Sequence, residues 1–128
     1  MKLTMVAILA AMTLSGAAYA QHKHGHAHTE KGPNGGLMTE AGDYHVELIA
    51  KDTSVEINVM DHDNKPVATA GYKGIAILSA GGKSLRIVLA PTDAAKLAGK
   101  AEVALPAQPK GVVQITSPAG KTVQAKFN

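Results

Sequence analysis

Tyr44-His45-Val46-Glu47-Leu48-Ile49-Ala50-Lys51-Asp52-Thr53-Ser54-Val55-Glu56-Ile57-Asn58-Val59-Met60 is the stretch that decides the fold. Tyr44, Val46 and Leu48 alternate with His45, Glu47 and Ile49. Val55, Ile57 and Val59 alternate with Glu56, Asn58 and Met60. A period of two, rich in β-branched residues, predicts two strands that each turn one face to a core. Lys51-Asp52-Thr53-Ser54 suits a tight hairpin loop. Closure there sets His45 opposite Met60, Glu47 opposite Asn58 and Ile49 opposite Glu56, with Val46–Val59 and Leu48–Ile57 as core pairs. Opposed side chains in such a ladder stand about 5 Å apart.

Outward from this hairpin the chain keeps the same character. Asp61-His62-Asp63-Asn64-Lys65-Pro66 reads as a turn. Further strands are expected near 66–69, 72–78, 84–90, 101–105, 111–117 and 122–127. Gly81-Gly82 and Pro118-Ala119-Gly120 punctuate them. Thr92 to Ala98 is the one stretch expected to form a short helix, with Thr92 or Asp93 as cap and Gly99 as stop. The expected fold class is all-β, an antiparallel immunoglobulin-like β-sandwich of about 7–8 strands over residues 37–128. With one Phe and no Trp, its core must be filled by Val, Ile, Leu and Ala.

The beginning of the chain reads differently. Lys2, the apolar run Met5 to Leu14 and Ala18-Tyr19-Ala20 together form a secretory signal peptide over residues 1–20, cut after Ala20. The run is too short for a membrane span, which needs about 20 apolar residues. Residues 21–36 form a His-rich flexible tail and a Gly/Pro linker. The tail is too polar to offset its ordering entropy and is expected to be disordered without ligand. The chain has no Cys, so neither disulfides nor thiolate ligands are available. Its charges, 13 Lys/Arg and 10 Asp/Glu, follow one another without long runs, as on a solvated surface. No nucleic-acid footprint is evident. There is no G-x-S-x-G elbow, no H-E-x-x-H and no credible phosphate loop, so an enzyme is not expected.

His22, His24, His26 and His28 alternate with Lys23, Gly25 and Ala27. Neutral imidazole suits Zn, Cu, Ni and Co, and small spacers let several rings meet one ion. A free amine on Gln21 after cleavage would add a Cu(II) chelate with His22. In the body, the expected register gathers His45, Met60 and His62, with Glu47 and Asp61 or Asp63 nearby. A His/Met set suits Cu(I) or Ag(I), and a His/carboxylate set suits Zn or Co. The bland alternative leaves His45 and Met60 packed under a loop and the aspartates as turn residues.

The His-rich segment, Gly32-Pro33-Asn34-Gly35-Gly36, Gly42-Asp43-Tyr44-His45-Val46-Glu47-Leu48 and Val59-Met60-Asp61-His62-Asp63-Asn64-Lys65-Pro66-Val67 carry a resemblance. Over about residues 22–70 the chain resembles small exported His-rich bacterial proteins and the N-terminal metal-binding region of periplasmic adaptor subunits of heavy-metal efflux systems. The resemblance implies a periplasmic metal buffer or carrier for Cu, Ag, Zn or Co that serves an efflux component. It implies that His45, Glu47 and His62 matter. Asn34 departs from it, standing where such relatives often carry His. The chain lacks the long helical hairpin of a full adaptor. The rival expectation is an exported protein-binding module whose His tail is incidental.

Overall fold

The computed structural model describes residues 28–128. The signal peptide and the start of the tail, with His22, His24 and His26, lie outside the described residues. Among the described residues the structure is all-β and antiparallel. Its strands are β1 (Glu30–Lys31), β2 (Leu37–Ala41), β3 (Tyr44–Lys51), β4 (Ser54–Met60), β5 (Lys73–Ala80), β6 (Lys83–Asp93), β7 (Lys96–Lys100), β8 (Gly111–Thr116) and β9 (Thr122–Phe127). They form one nine-stranded sheet in the order β1-β2-β3-β4-β7-β6-β5-β8-β9.

The sheet curls until its ends meet. Gly42, in the β2–β3 turn, lies so close to Val123 of β9 that an added Cβ would stand 2.7 Å from Val123 Cγ1. The Lys121 ammonium donates to Asp43 Oδ2 at 2.9 Å across the same seam. Curling places Val46, Leu48, Ile57 and Val59 from one wall against Leu78, Ile87, Ile115 and Phe127 from the other, all 2 % exposed or less. β6 joins the walls, because its first part pairs with β5 and its last part with β7.

The β3–β4 register is the expected one: His45↔Met60, Val46↔Val59, Glu47↔Asn58, Leu48↔Ile57 and Ile49↔Glu56. Gly81 and Gly82 close the β5–β6 hairpin with φ of 56° and 77°. Two positive φ angles in a two-residue loop match the right-handed twist of the strands and favour Gly at both places.

Three expectations are corrected and one strand is added. The helix over 92–98 is absent: β6 runs to Asp93 and Lys96–Lys100 is strand β7. A segment this short cannot repay helix nucleation, whereas the open edge of β4 supplies a ladder, and Leu97, opposite Ile57, is fully buried there. Residues 101–105 form no strand. Instead Ala101 N–H donates to Thr53 O and Leu105 N–H to Asp52 O, capping the β3–β4 turn. Residues 66–69 are also not a strand: Pro66 makes only an isolated bridge to Met60, and Thr69 is buried with its hydroxyl facing the carbonyls of Asp93 and Lys96. The strand Leu37–Ala41 was not expected at all.

The Asp43–Lys121 link makes a pH prediction. The hydrogen bond and charge of Lys121 hold the Asp43 carboxyl below its ordinary value. A depressed folded value means the link stabilises above the unfolded carboxyl range and fades as pH falls through the folded value. Acid unfolding of Lys121→Met followed by circular dichroism is expected at a slightly higher pH midpoint than wild type. An unchanged midpoint would show that the seam does not depend on this pair.

Candidate metal centre

On the outer face of the β2–β3–β4 wall, the register sets Glu40, His45 and Met60 in one cross-strand row, with Glu40↔His45 and His45↔Met60. His62 follows β4 in the turn and returns to the row. The His45 and His62 rings lie edge to face, with centroids 5.4 Å apart and planes at 87°. His45 Nε2 is 3.6 Å from Glu40 Oε1. The His45 side chain is 16 % exposed, that of Glu40 77 %.

The turn itself is built to hold this end. Asp61 Oδ1 accepts the N–H groups of Asp63 and Lys65, both at 2.9 Å. Asp61 N–H donates to Lys65 O and Asn64 N–H to Asp61 O. Asn64 adopts φ 59°, a left-handed conformation that Asn tolerates. That conformation brings its side chain to His45, whose Nδ1–H donates to Asn64 Oδ1 at 2.7 Å. A carbonyl oxygen only accepts, so in this pair the His45 nitrogen donates from Nδ1, and Nε2 points to the Glu40 side. This is how a ligating histidine is oriented: its second nitrogen donates to an oxygen that fixes tautomer and ring.

No family model, curated protein or solved structure matches the chain. The chemistry of this end of the fold therefore rests on its own geometry.

The other site residues have distinct placements. Glu47 is completely buried. Its Oε1 accepts Asn34 N–H at 2.8 Å and Gly36 N–H at 2.9 Å, and its Oε2 accepts Asn34 Nδ2–H at 2.7 Å. The carboxylate thus straps residues 32–36 across the sheet. Gly32 and Gly36 allow this approach: a Cβ on Gly32 would overlap the Glu47 carboxylate, and one on Gly36 the Leu48 carbonyl. Met60 is 4 % exposed. His62 and Asp63 are exposed, as is His28 at the start of the described residues. Among the described residues no three His, Cys, Asp or Glu side chains stand close enough together to hold an ion.

Two participants escaped the sequence reading. Glu40 joins the row only because β2 pairs with β3, and the available signal was the Gly42-Asp43 dipeptide of a tight turn. Asn64 was legible as a turn residue, but not as the partner of His45.

Proposed function

We propose that the protein is a periplasmic heavy-metal carrier or buffer. In this reading His45 and His62 are the body ligands, Glu40 is a third ligand and His22, His24, His26 and His28 collect ions for them. The observation that carries it is the His45–Asn64 hydrogen bond, which holds the ring through Nδ1 and aims Nε2, a ligand atom in the neutral ring, toward Glu40 and the His62 ring. Exposed Glu40 and His62 can turn toward a common ion, reaching the roughly 2.0–2.2 Å that Zn–N and Zn–O bonds require. A His/carboxylate set with Met60 buried beneath favours a borderline divalent ion, Zn(II), Co(II) or Cu(II), over Ag(I) or Cu(I). The metal is cargo rather than a resident group, and delivery to an efflux component follows from the resemblance alone. The two walls joined through β6 support describing the curled sheet as an immunoglobulin-like sandwich.

Equilibrium titration with Zn(II) and Cu(II) tests the reading. Replacing His22, His24, His26 and His28 with Ala is expected to remove weak, multi-ion uptake and leave one tighter event. His45→Ala with His62→Ala is expected to remove that event. Asn64→Ala is expected to weaken it about 10–100-fold, the usual cost of losing the group that orients a ligating His. A tight event that survives the double body variant would sink the assignment.

A further inference from the structure

Charge is sorted by sign between the two halves of the described chain. Residues 28–63, which supply β1 to β4, hold eight Asp/Glu and two Lys. Residues 64–128 hold nine Lys/Arg and two Asp/Glu. The outer face of the β5, β6, β8 and β9 wall sharpens this difference. There the register aligns Arg86, Ile77, Val112 and Lys126 in one row across four strands, a cation at each end and two aliphatic side chains between. At the usual strand spacing the row spans about 14 Å. Val88, opposite Ile75 in the next row, is 64 % exposed and Ile77 is 43 % exposed. Lys73 adds a cation at the start of β5, on the same face. From Lys73 to Ala90, and through β8 and β9, no residue is acidic and none is aromatic except buried Phe127.

We propose that this face docks the protein on an anionic lipid surface. The charge of the face demands an anionic occupant, and its composition selects among such occupants. Centres of protein–protein contacts are depleted in Lys and anchored by Trp, Tyr and Arg. This face has one Arg, two Lys and no aromatic anchor. The absence of aromatic rings also removes a platform for nucleic-acid bases. Attraction to anionic headgroups makes no such distinction: Lys and Arg contribute alike, about fivefold in partitioning for each one brought to the surface. Val88 and Ile77 add apolar contact at the headgroup boundary. No helix among the described residues is long and apolar enough to cross a membrane, and the contact drawn here is peripheral. It would leave the His45–His62 end, on the opposite wall, facing away from the lipid.

The test is co-sedimentation of the purified protein, in chelator, with phosphatidylglycerol/phosphatidylcholine vesicles and with phosphatidylcholine alone. Every form compared has the same N-terminal segment before Thr29, so any pull of that segment on lipid is common to all. Arg86→Glu with Lys126→Glu is expected to weaken binding to the anionic vesicles at least about tenfold. Val88→Ser is expected to weaken it less. Lys51→Glu with Lys65→Glu, the same charge change away from the face, is expected to leave most of it. Binding should fall as salt is raised, because the charges are exposed. Equal loss in both charge pairs, equal binding to neutral vesicles, or no binding would overturn the proposal. So would retention on a polyglutamate resin without vesicle binding, which would assign the face to an acidic protein. Chelator keeps the outcome separate from the metal reading, which fails or stands by titration alone.

Discussion

Truncating Phe127 to alanine is expected to lower the stability of the protein by about 3–5 kcal/mol. Phe127 is the one Phe in the chain and is 1 % exposed. It closes the core from β9, the last strand of the curled sheet. The rest of the core is Val, Ile, Leu and Ala, too short to reach across. The stability of a domain of this size is about 5–15 kcal/mol, so the variant should sit close to unfolding at 37 °C. Thermal unfolding by circular dichroism should show a midpoint lowered by about 4–8 °C for each kcal/mol lost. Phe127→Leu, which keeps most of the volume, is expected to recover much of the loss. A midpoint for Phe127→Ala near that of wild type would mean that β9 is not a working part of the core.

Glu47→Ala is expected to cost about 3 kcal/mol, because it strips three N–H groups of a charged acceptor at once. Asn34 and Gly36 donate from the β1–β2 loop, which the Gly32 N–H to Gly36 O bond closes but, among the described residues, only the carboxylate ties down to β3 by a side chain. Glu47→Gln should be milder. It keeps one acceptor oxygen but sets an amide donor against either the Asn34 side chain or the two backbone donors. A double-mutant cycle with Asn34→Ala isolates the side-chain part, and coupling of about 1 kcal/mol or more is expected between neighbours in one network. The same variants separate two roles for Glu47. If it serves as the strap's anchor alone, Glu47→Gln leaves metal affinity at the His45 end unchanged in protein that is still folded. A fall comparable to that of His45→Ala would make Glu47 a ligand.

The parts of the fold that could be read from the sequence are those fixed by near neighbours. Alternation on both sides of a short polar loop set the β3–β4 register residue by residue, and with it the His45–Met60 pair. The parts that could not be read depend on edges. Leu37-Met38-Thr39-Glu40-Ala41 has weak strand character and becomes a strand because β3 offers it a ladder. Lys96-Leu97-Ala98-Gly99-Lys100 has the composition of a helix end and becomes a strand because β4 does the same. Glu47 on the solvent side of an alternating strand reads as exposed. It is buried because a Gly-rich segment eleven to fifteen residues upstream lies over it, and nothing within the strand encodes that. The candidate metal centre is intermediate. Its histidines follow from the hairpin, whereas Glu40 and Asn64 required the neighbouring strand and the turn's backbone angles.

The most direct test of the central claim is to watch the imidazoles themselves. In protein whose His22, His24, His26 and His28 are replaced by Ala, nuclear magnetic resonance of the side-chain nitrogens during Zn(II) addition should show His45 Nε2 and one nitrogen of His62 shifting together. They should saturate at one equivalent, while His45 Nδ1 remains protonated on Asn64. Nitrogen signals from His45 and His62 that do not move with added Zn(II), or that move independently of each other, would contradict the account.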